Sequence, residues 1–184
     1  FPLPKTVSQL RSFLGTINYC HRFIPGVSDI LSPLSGLVSK PKKSLVSWSD
    51  TTLSAFENAK SALSKIQTLH FPNADLPWSL TTDASNVAIG AVLHQLHNDI
   101  SEPLEFFSKK LSSAQRKYSA FDRELLGIYL SIKHFKHLLE GRPFVIYTDH
   151  KPLAYLFGMK DPSPRQQRQI SYISEFSCEI RHIA

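Results

Sequence analysis

The chain has 184 residues, of which 42% are hydrophobic and 20% are charged, and its formal net charge is +6. This composition is typical of a globular protein and excludes collagen-like, coiled-coil and disordered chains. The sequence has no apolar run of the about 18–20 residues that a membrane span needs, and its two cysteines are too few for a disulfide scaffold. It begins with Phe1 and shows no signal-peptide pattern, so we expect an intracellular piece of a longer polyprotein that is neither secreted nor inserted in a membrane.

The first part of the chain has the periodicity of helices. Thr6 and Gln9 have the spacing of a capping box, and the apolar residues that follow recur at helical spacing. Gly15, inside this first helix, predicts close packing against a neighbour. A shorter helical run follows Pro25-Gly26, and Ser49 is expected to cap a third helix whose apolar stripe ends at Ile66.

Residues 67–76 break this pattern, so we place a domain boundary there. It divides the chain into a small helical segment, 1–70, and a second domain, 71–184. Residues 1–70 contain eight basic and three acidic side chains, whereas residues 71–184 contain 13 and 12. A basic segment beside a nearly neutral one favours a polyanion-binding part joined to a part with another task. A basic protein that binds no polyanion fits the charge equally well.

The second domain changes to the period of strands. Gly90 predicts a bulge or a close approach within the second of them, and Gly141 ends a long helix. The order of elements predicts an α/β (α+β) domain with a mixed sheet. We predict strands at 78–82, 87–96, 104–107, 144–148 and 178–183, the long helix at about 113–140, and shorter helices at 152–157 and 163–176.

Three acids occupy unusual places in this pattern. Asp83 and Asp149 each end a strand that we expect to be buried, where an unpaired carboxylate is expensive. On a helical wheel of the long helix, Glu124 lies about 60° from the centre of the apolar arc, whereas Asp122 and Arg123 point to solvent. Carboxylates so placed are able to converge, and divalent ions such as Mg²⁺ prefer oxygen ligands.

Each acid alone also fits a turn cap or an ion pair with a nearby Lys or Arg. The joint placement of all three favours a metal site. Beside a basic segment, two ions about 4 Å apart would suit in-line attack on a phosphodiester.

Four stretches that span nearly the whole chain resemble, in the same order, the C-terminal part of the reverse transcriptase of gypsy-like long-terminal-repeat retrotransposons. That part consists of a thumb region followed by ribonuclease H. The stretches are LRSFLGTINYCHRFIPGVSDILSPLSGL (10–37), TTDASNVAIGAVLHQ (81–95), RELLGIYLSIKHFKHLLEGRPFVIYTDHKPL (123–153) and SPRQQRQISYISEF (163–176).

The resemblance implies a ribonuclease H-like mixed five-stranded sheet with flanking helices, preceded by the thumb-like segment. It implies an endonuclease that hydrolyses the RNA strand of RNA–DNA hybrids with two Mg²⁺ ions, or Mn²⁺, held by Asp83, Glu124 and Asp149. The family's fourth aspartate lies on a helix after the last strand, beyond Ala184, which weighs against cleavage by residues 1–184 alone. The polymerase palm and fingers would lie upstream in the same polyprotein, in a cytoplasmic virus-like particle or the nucleus.

Several polar side chains are candidates for contact with the hybrid, although a solvated surface is the alternative for each. His150, beside Asp149, either assists metal release or proton transfer or bonds a backbone carbonyl. Contact with RNA would include its 2′-hydroxyl groups. The candidate nucleic-acid-binding residues are Ser85, Asn86, Gln95, Arg165, Arg168, Lys42 and Lys43.

Two other functions remain open. A non-catalytic ribonuclease H-like connection module would position nucleic acid without cutting it, and an inactive relic would do neither. The presence of all three carboxylates favours the enzyme over the connection module, whereas the relic stays open because a sequence does not show expression. A transposase or integrase core is disfavoured, because those proteins place their last acid on a late helix.

Overall fold

The computed structural model describes residues 2–64 and 69–183, and its first part is helical. Its α-helices are α1 (Val7–Tyr19), α2 (Val27–Leu31) and α3, which is described over Asp50–Ser64. The predicted capping box starts α1, since Gln9 N donates to Thr6 Oγ1 (3.3 Å) and Thr6 N donates to Gln9 Oε1 (3.2 Å). The Ser49 hydroxyl accepts from Thr52 N (3.4 Å) at the start of α3, as predicted. Ile66 lies outside the described residues.

A separate hydrophobic core holds these helices together. Phe13 of α1 and Phe56 of α3 meet at its centre, with ring centroids 4.7 Å apart. Gly15 is exposed, and a Cβ at that position would meet no other element of the described chain within 4 Å, so the predicted close packing is wrong. The buried members of this core are Leu10, Phe13, Ile17, Ile24, Val27, Phe56 and Ala59.

The second part contains the predicted mixed five-stranded sheet. Its strands are β1 (Trp78–Ala84), β2 (Ala88–His97), β3 (Ile100–Lys110), β4 (Phe144–Thr148) and β5 (Cys178–His182). Their order across the sheet is β3-β2-β1-β4-β5. β1, β2 and β3 pair antiparallel, whereas β4 pairs parallel with both β1 and β5.

The irregularity in the sheet is not at the predicted place. Gly90 pairs regularly with Asp83 on one side and Ser108 on the other. The register between β2 and β3 shifts instead between Leu93 and His94.

Two α-helices pack with the sheet, α4 (Ala120–Leu139) and α5 (Pro164–Ile173). α4 begins later than predicted because the Ser119 hydroxyl accepts from Asp122 N (3.1 Å) and caps it there, while residues 115–117 form a separate 3₁₀ turn. Gly141, with φ of 75°, follows its end. A 3₁₀ helix, Lys151–Gly158, lies between β4 and α5.

The apolar arc of α4 faces the core, as the helical wheel predicted. Five of its residues are fully buried, and they join the inward side chains of the sheet in one cluster. Within the described ranges, no helix has both the length and the apolar character that a membrane crossing requires. The five buried residues are Leu125, Ile128, Ile132, Phe135 and Leu139.

The helical part contacts the sheet at the end where β1 stops. Ser28 N of α2 donates to Ser108 Oγ of β3 (3.0 Å), and Ser85 Oγ donates to Asp29 Oδ1 (3.1 Å). The chain thus has two cores that meet at one end of the sheet. The exact boundary at residues 67–76 stays a prediction, since residues 65–68 are not described.

Candidate active site

The sheet brings two of the predicted acids side by side. β1 and β4 are parallel neighbours in which Thr81 lies opposite Tyr147. Two residues further along each chain stand Asp83 and Asp149, so both carboxylates emerge at the same end of the sheet. Both side chains are exposed there, as a substrate-accessible site requires.

The third acid reaches this point from α4. Glu124 is only 7% exposed, and its Oε1 accepts a hydrogen bond from Ala84 N, the residue after Asp83 (3.1 Å). Its other oxygen, Oε2, is buried and has no hydrogen-bond partner among the residues that the structure describes. A buried carboxylate oxygen without a partner is costly unless something else satisfies it.

The three carboxylates form one cluster. Asp83, Glu124 and Asp149 each offer an oxygen, and these atoms all lie within 4.8 Å of one another. Burial, and then the negative charges of Asp149 and Asp83, raise the pKa of Glu124 from 4.5 to about 7, although the hydrogen bond from Ala84 N opposes the shift. Hard oxygen donors, mutual repulsion and an unsatisfied buried oxygen together fit a divalent cation.

Two histidines lie close to Asp149. The ring of His150 meets the edge of Phe121, with centroids 5.8 Å apart. His182 Nε2 lies 3.1 Å from the backbone oxygen of Asp149. Sequence reasoning missed His182, because nothing in the local pattern shows that β5 brings it beside the end of β4.

The turn between β1 and β2 contains two of the nucleic-acid candidates. The Ser85 hydroxyl accepts from Val87 N (3.2 Å) and Ala88 N (2.9 Å), so it closes this turn. Asn86 is exposed beside it, next to the acid cluster in sequence. Asn86 is therefore available to a ligand, whereas Ser85 is engaged within the protein.

Gln95 has a folding role. Only 3% of it is exposed, and its amide accepts from Asn73 N (2.8 Å) and donates to Phe71 O (3.2 Å) and Glu102 Oε2 (2.8 Å). It pairs with Trp78 at the opposite end of β1 from Asp83. Five residues of strand separate the two ends, about 17 Å. Its side chain is therefore not free to contact a nucleic acid, and we correct that assignment.

The four basic candidates divide into engaged and exposed side chains. Arg165 Nη2 lies 3.0 Å from Asp122 Oδ2, and its guanidinium lies over the ring of Tyr118, 3.9 Å from the centroid. The exposed candidates are Arg168 on α5 and Lys42 and Lys43 in the turn before α3. The structure also corrects the prediction that Asp122 and Arg123 point to solvent, because both are half-buried.

A family model described as the RNase H-like domain found in reverse transcriptase matches residues 73–176. The chain is 36% identical over 183 residues to a retrovirus-related Pol polyprotein from transposon 297 of Drosophila melanogaster. It is 38% identical over 184 residues to the transposon Tf2-3 polyprotein of Schizosaccharomyces pombe. These matches cover 100% and 97% of this chain but only 17% and 14% of the polyproteins, so it corresponds to a small part of their length.

Solved structures share the fold. The foamy viral protease-reverse transcriptase in complex with RNA/DNA hybrid matches with a TM-score of 0.77 and 21% identity, over 99% of this chain and 25% of that one. The same protein in complex with dsDNA matches with a TM-score of 0.79 and 20% identity, over 100% of this chain and 39% of that one. The family match covers more than half of the chain, and the resemblance seen in the sequence is confirmed: the chain belongs to the RNase H-like domains of reverse transcriptases, and its relatives are retrotransposon polyproteins.

Proposed function

We propose that this chain hydrolyses the RNA strand of RNA–DNA hybrids within a retrotransposon reverse transcriptase. The observation that carries the proposal is the convergence of Asp83, Glu124 and Asp149, whose oxygens lie within 4.8 Å of one another. The foamy viral relative, which shares the fold, was solved in complex with RNA/DNA hybrid, and this supports a hybrid as the substrate.

In this proposal the three carboxylates hold Mg²⁺, or Mn²⁺. Such ions, when bound, activate a water and stabilise the leaving oxygen of a phosphodiester. Ala84 N fixes one oxygen of Glu124 by its hydrogen bond, which leaves the partnerless Oε2 for a ligand. The exposed Asp83 and Asp149 leave the site open to a nucleic-acid backbone. Hydrolysis adds water across the P–O3′ bond and leaves a 3′-hydroxyl and a 5′-phosphate.

The exposed polar residues outside the cluster would hold the hybrid. Asn86 is the candidate nearest to Asp83 in sequence, while Arg168, Lys42 and Lys43 would contact phosphates. The basic helical part would thus bind the hybrid, and the domain joined to it would cleave the RNA strand. The polymerase domains upstream in the polyprotein would be the covalent partner of this unit.

The test uses a hybrid labelled on its RNA strand, with Mg²⁺, and the protein both as residues 1–184 and extended by the sequence that follows it. We expect cleavage by the wild type and at least about a hundredfold loss in Asp83→Asn and Asp149→Asn, since each removes a charged ligand worth several kcal/mol in the transition state. Asp75→Asn, an exposed acid outside the cluster, is the matched control.

Two results would count against the proposal. The first is intact RNA with both lengths of protein, and the second is cleavage by Asp83→Asn at the wild-type rate. Binding of the hybrid without cleavage would instead support the non-catalytic positioning module.

A further inference from the structure

A polar cluster joins the first turns of α4 and α5. Asp122, in the first turn of α4, is at its centre. Its Oδ2 accepts from Ser119 Oγ (2.9 Å) and lies 3.0 Å from Arg165 Nη2. Its Oδ1 accepts from Gln166 Nε2 (2.9 Å). One carboxylate therefore binds the cap of its own helix and two residues of the neighbouring helix.

The same cluster contains the cap of α5. Gln166 Oε1 accepts from Ser163 N (2.8 Å), so a single side chain closes the capping box of α5 and also holds α4. The guanidinium carbon of Arg165 lies over the ring of Tyr118, the residue before the N-cap of α4, 3.9 Å from the ring centroid. The ion pair between Asp122 and Arg165, the hydrogen bond from the Gln166 amide and the cation–π contact of Arg165 with Tyr118 together fix the start of α4 against α5.

Glu124 is two residues beyond Asp122 on the same helix. Its carboxylate meets Ala84 N on the sheet side. The backbone of α4 that carries Glu124 is thus held by α5 through Asp122, while the tip of the side chain is held by β1. Displacement of the helix start would move Glu124 away from Asp83 and Asp149.

We propose that Asp122 and Arg165 are positioning residues of the metal centre, which act through Glu124. This rests on the metal site of the proposed function, although not on cleavage itself. Arg165 was a candidate phosphate contact, but Asp122 already pairs with its charge and Tyr118 covers one face of its guanidinium. Its effect on the protein should therefore be visible without nucleic acid.

The experiment measures Mn²⁺ binding in the absence of nucleic acid, from the electron paramagnetic resonance signal of free Mn²⁺. Arg165→Ala should weaken binding up to about tenfold, the lower end of the effect of losing a direct partner of a ligand, because Arg165 reaches Glu124 only through Asp122 and the helix backbone. Arg165→Lys should recover part of that loss, because lysine keeps the positive charge but lacks the planar guanidinium group. Lys160→Ala is the control, since it also removes one positive charge, from an exposed site shortly before α5, and should bind Mn²⁺ like the wild type.

Asp122→Asn in the Arg165→Ala background should add little to the single change, because Arg165→Ala has already removed the ion pair and the asparagine amide keeps an oxygen for Gln166 Nε2. Amide hydrogen exchange in the first two turns of α4 should be faster in Arg165→Ala than in Lys160→Ala.

Wild-type Mn²⁺ affinity in folded Arg165→Ala would overturn the inference. So would a raised KM for hybrid with unchanged Mn²⁺ affinity, which would make Arg165 a nucleic-acid contact. A wild type that binds no Mn²⁺ would overturn the metal centre and this inference with it. A wild type that binds Mn²⁺ without cutting RNA would overturn only the proposed activity.

Discussion

Replacement of Glu124 by Gln should stabilise the metal-free protein at alkaline pH. The glutamine amide keeps an oxygen that accepts from Ala84 N, and it removes the negative charge that burial, Asp149 and Asp83 disfavour. A carboxyl whose pKa rises from 4.5 to about 7 becomes charged at a cost of about 3 kcal/mol in the folded state. We therefore expect Glu124→Gln to unfold with a free energy about 3 kcal/mol higher than the wild type at pH 8.5.

The sign of the pH dependence follows from the direction of the shift. Because the folded pKa is raised, the protonated form of Glu124 favours folding. Its contribution is fully present below pH 4.5 and is lost as the pH rises through about 7. The difference between wild type and Glu124→Gln should thus be small near pH 4.5 and should grow towards pH 8.5.

Urea unfolding in EDTA at a series of pH values measures this difference. Glu175→Gln, an exposed acid outside the cluster, is the control and should follow the wild type. In samples without EDTA, added Mn²⁺ should stabilise the wild type and have much less effect on Glu124→Gln, since a ligand stabilises only a protein that binds it. Parallel stability curves for the wild type and Glu124→Gln from pH 4.5 to 8.5 would refute the reasoning.

Three further predictions test the fold and the binding of the hybrid. Gly127→Ala, inside α4, should raise the free energy of unfolding by about 1 kcal/mol, because alanine favours a helix more than glycine does. The new Cβ would lie 3.6 Å from Ile89 Cγ2, which is an ordinary contact, and lower stability in urea would contradict this prediction. Gln95→Ala should lower the free energy of unfolding by about 2–3 kcal/mol, because it removes a buried amide with three hydrogen bonds, and the folded variant should still cut RNA at the wild-type rate. Replacement of both Lys42 and Lys43 by Ala should reduce the slope of log affinity for hybrid against log salt by about 2, measured by fluorescence anisotropy; an unchanged slope would mean that neither contacts phosphate.

Local patterns predicted most of the fold. Strand-like stretches of apolar residues placed all five strands, and the 3.6-residue period gave the buried arc of α4 together with the inward direction of Glu124. The start of α4 was misplaced because the helical pattern alone does not show that Ser119 caps the helix and that residues 115–117 form a separate 3₁₀ turn. The bulge was misplaced because Gly90 is compatible with regular pairing on both sides.

The surroundings of Asp122 and Gln95 were predicted wrongly because they depend on contacts between distant elements. A helical wheel describes one helix, so it put Asp122 in solvent, whereas α5 covers that side and supplies Arg165. Gln95 looked like a surface polar residue in a strand, but the loop at Asn73 folds over it. The sequence did contain a signal for this burial, because Gln95 lies two residues after the buried Leu93 and therefore on the same face of β2.

The energetics of the acid cluster bear on the choice between an enzyme and a module that only positions nucleic acid. Without a cation, one buried oxygen of Glu124 is unpartnered within the described part of the chain, and the charged form of Glu124 lowers the stability of the fold. A positioning module would gain nothing from that arrangement, because a neutral side chain at position 124 would hold the helix and the sheet together better. A centre that binds divalent ions needs several carboxylates close together, and the bound ions relieve the repulsion between them. Local loss of stability in a chain that otherwise follows the rules of folding is typical of a functional site, and it favours the hydrolase.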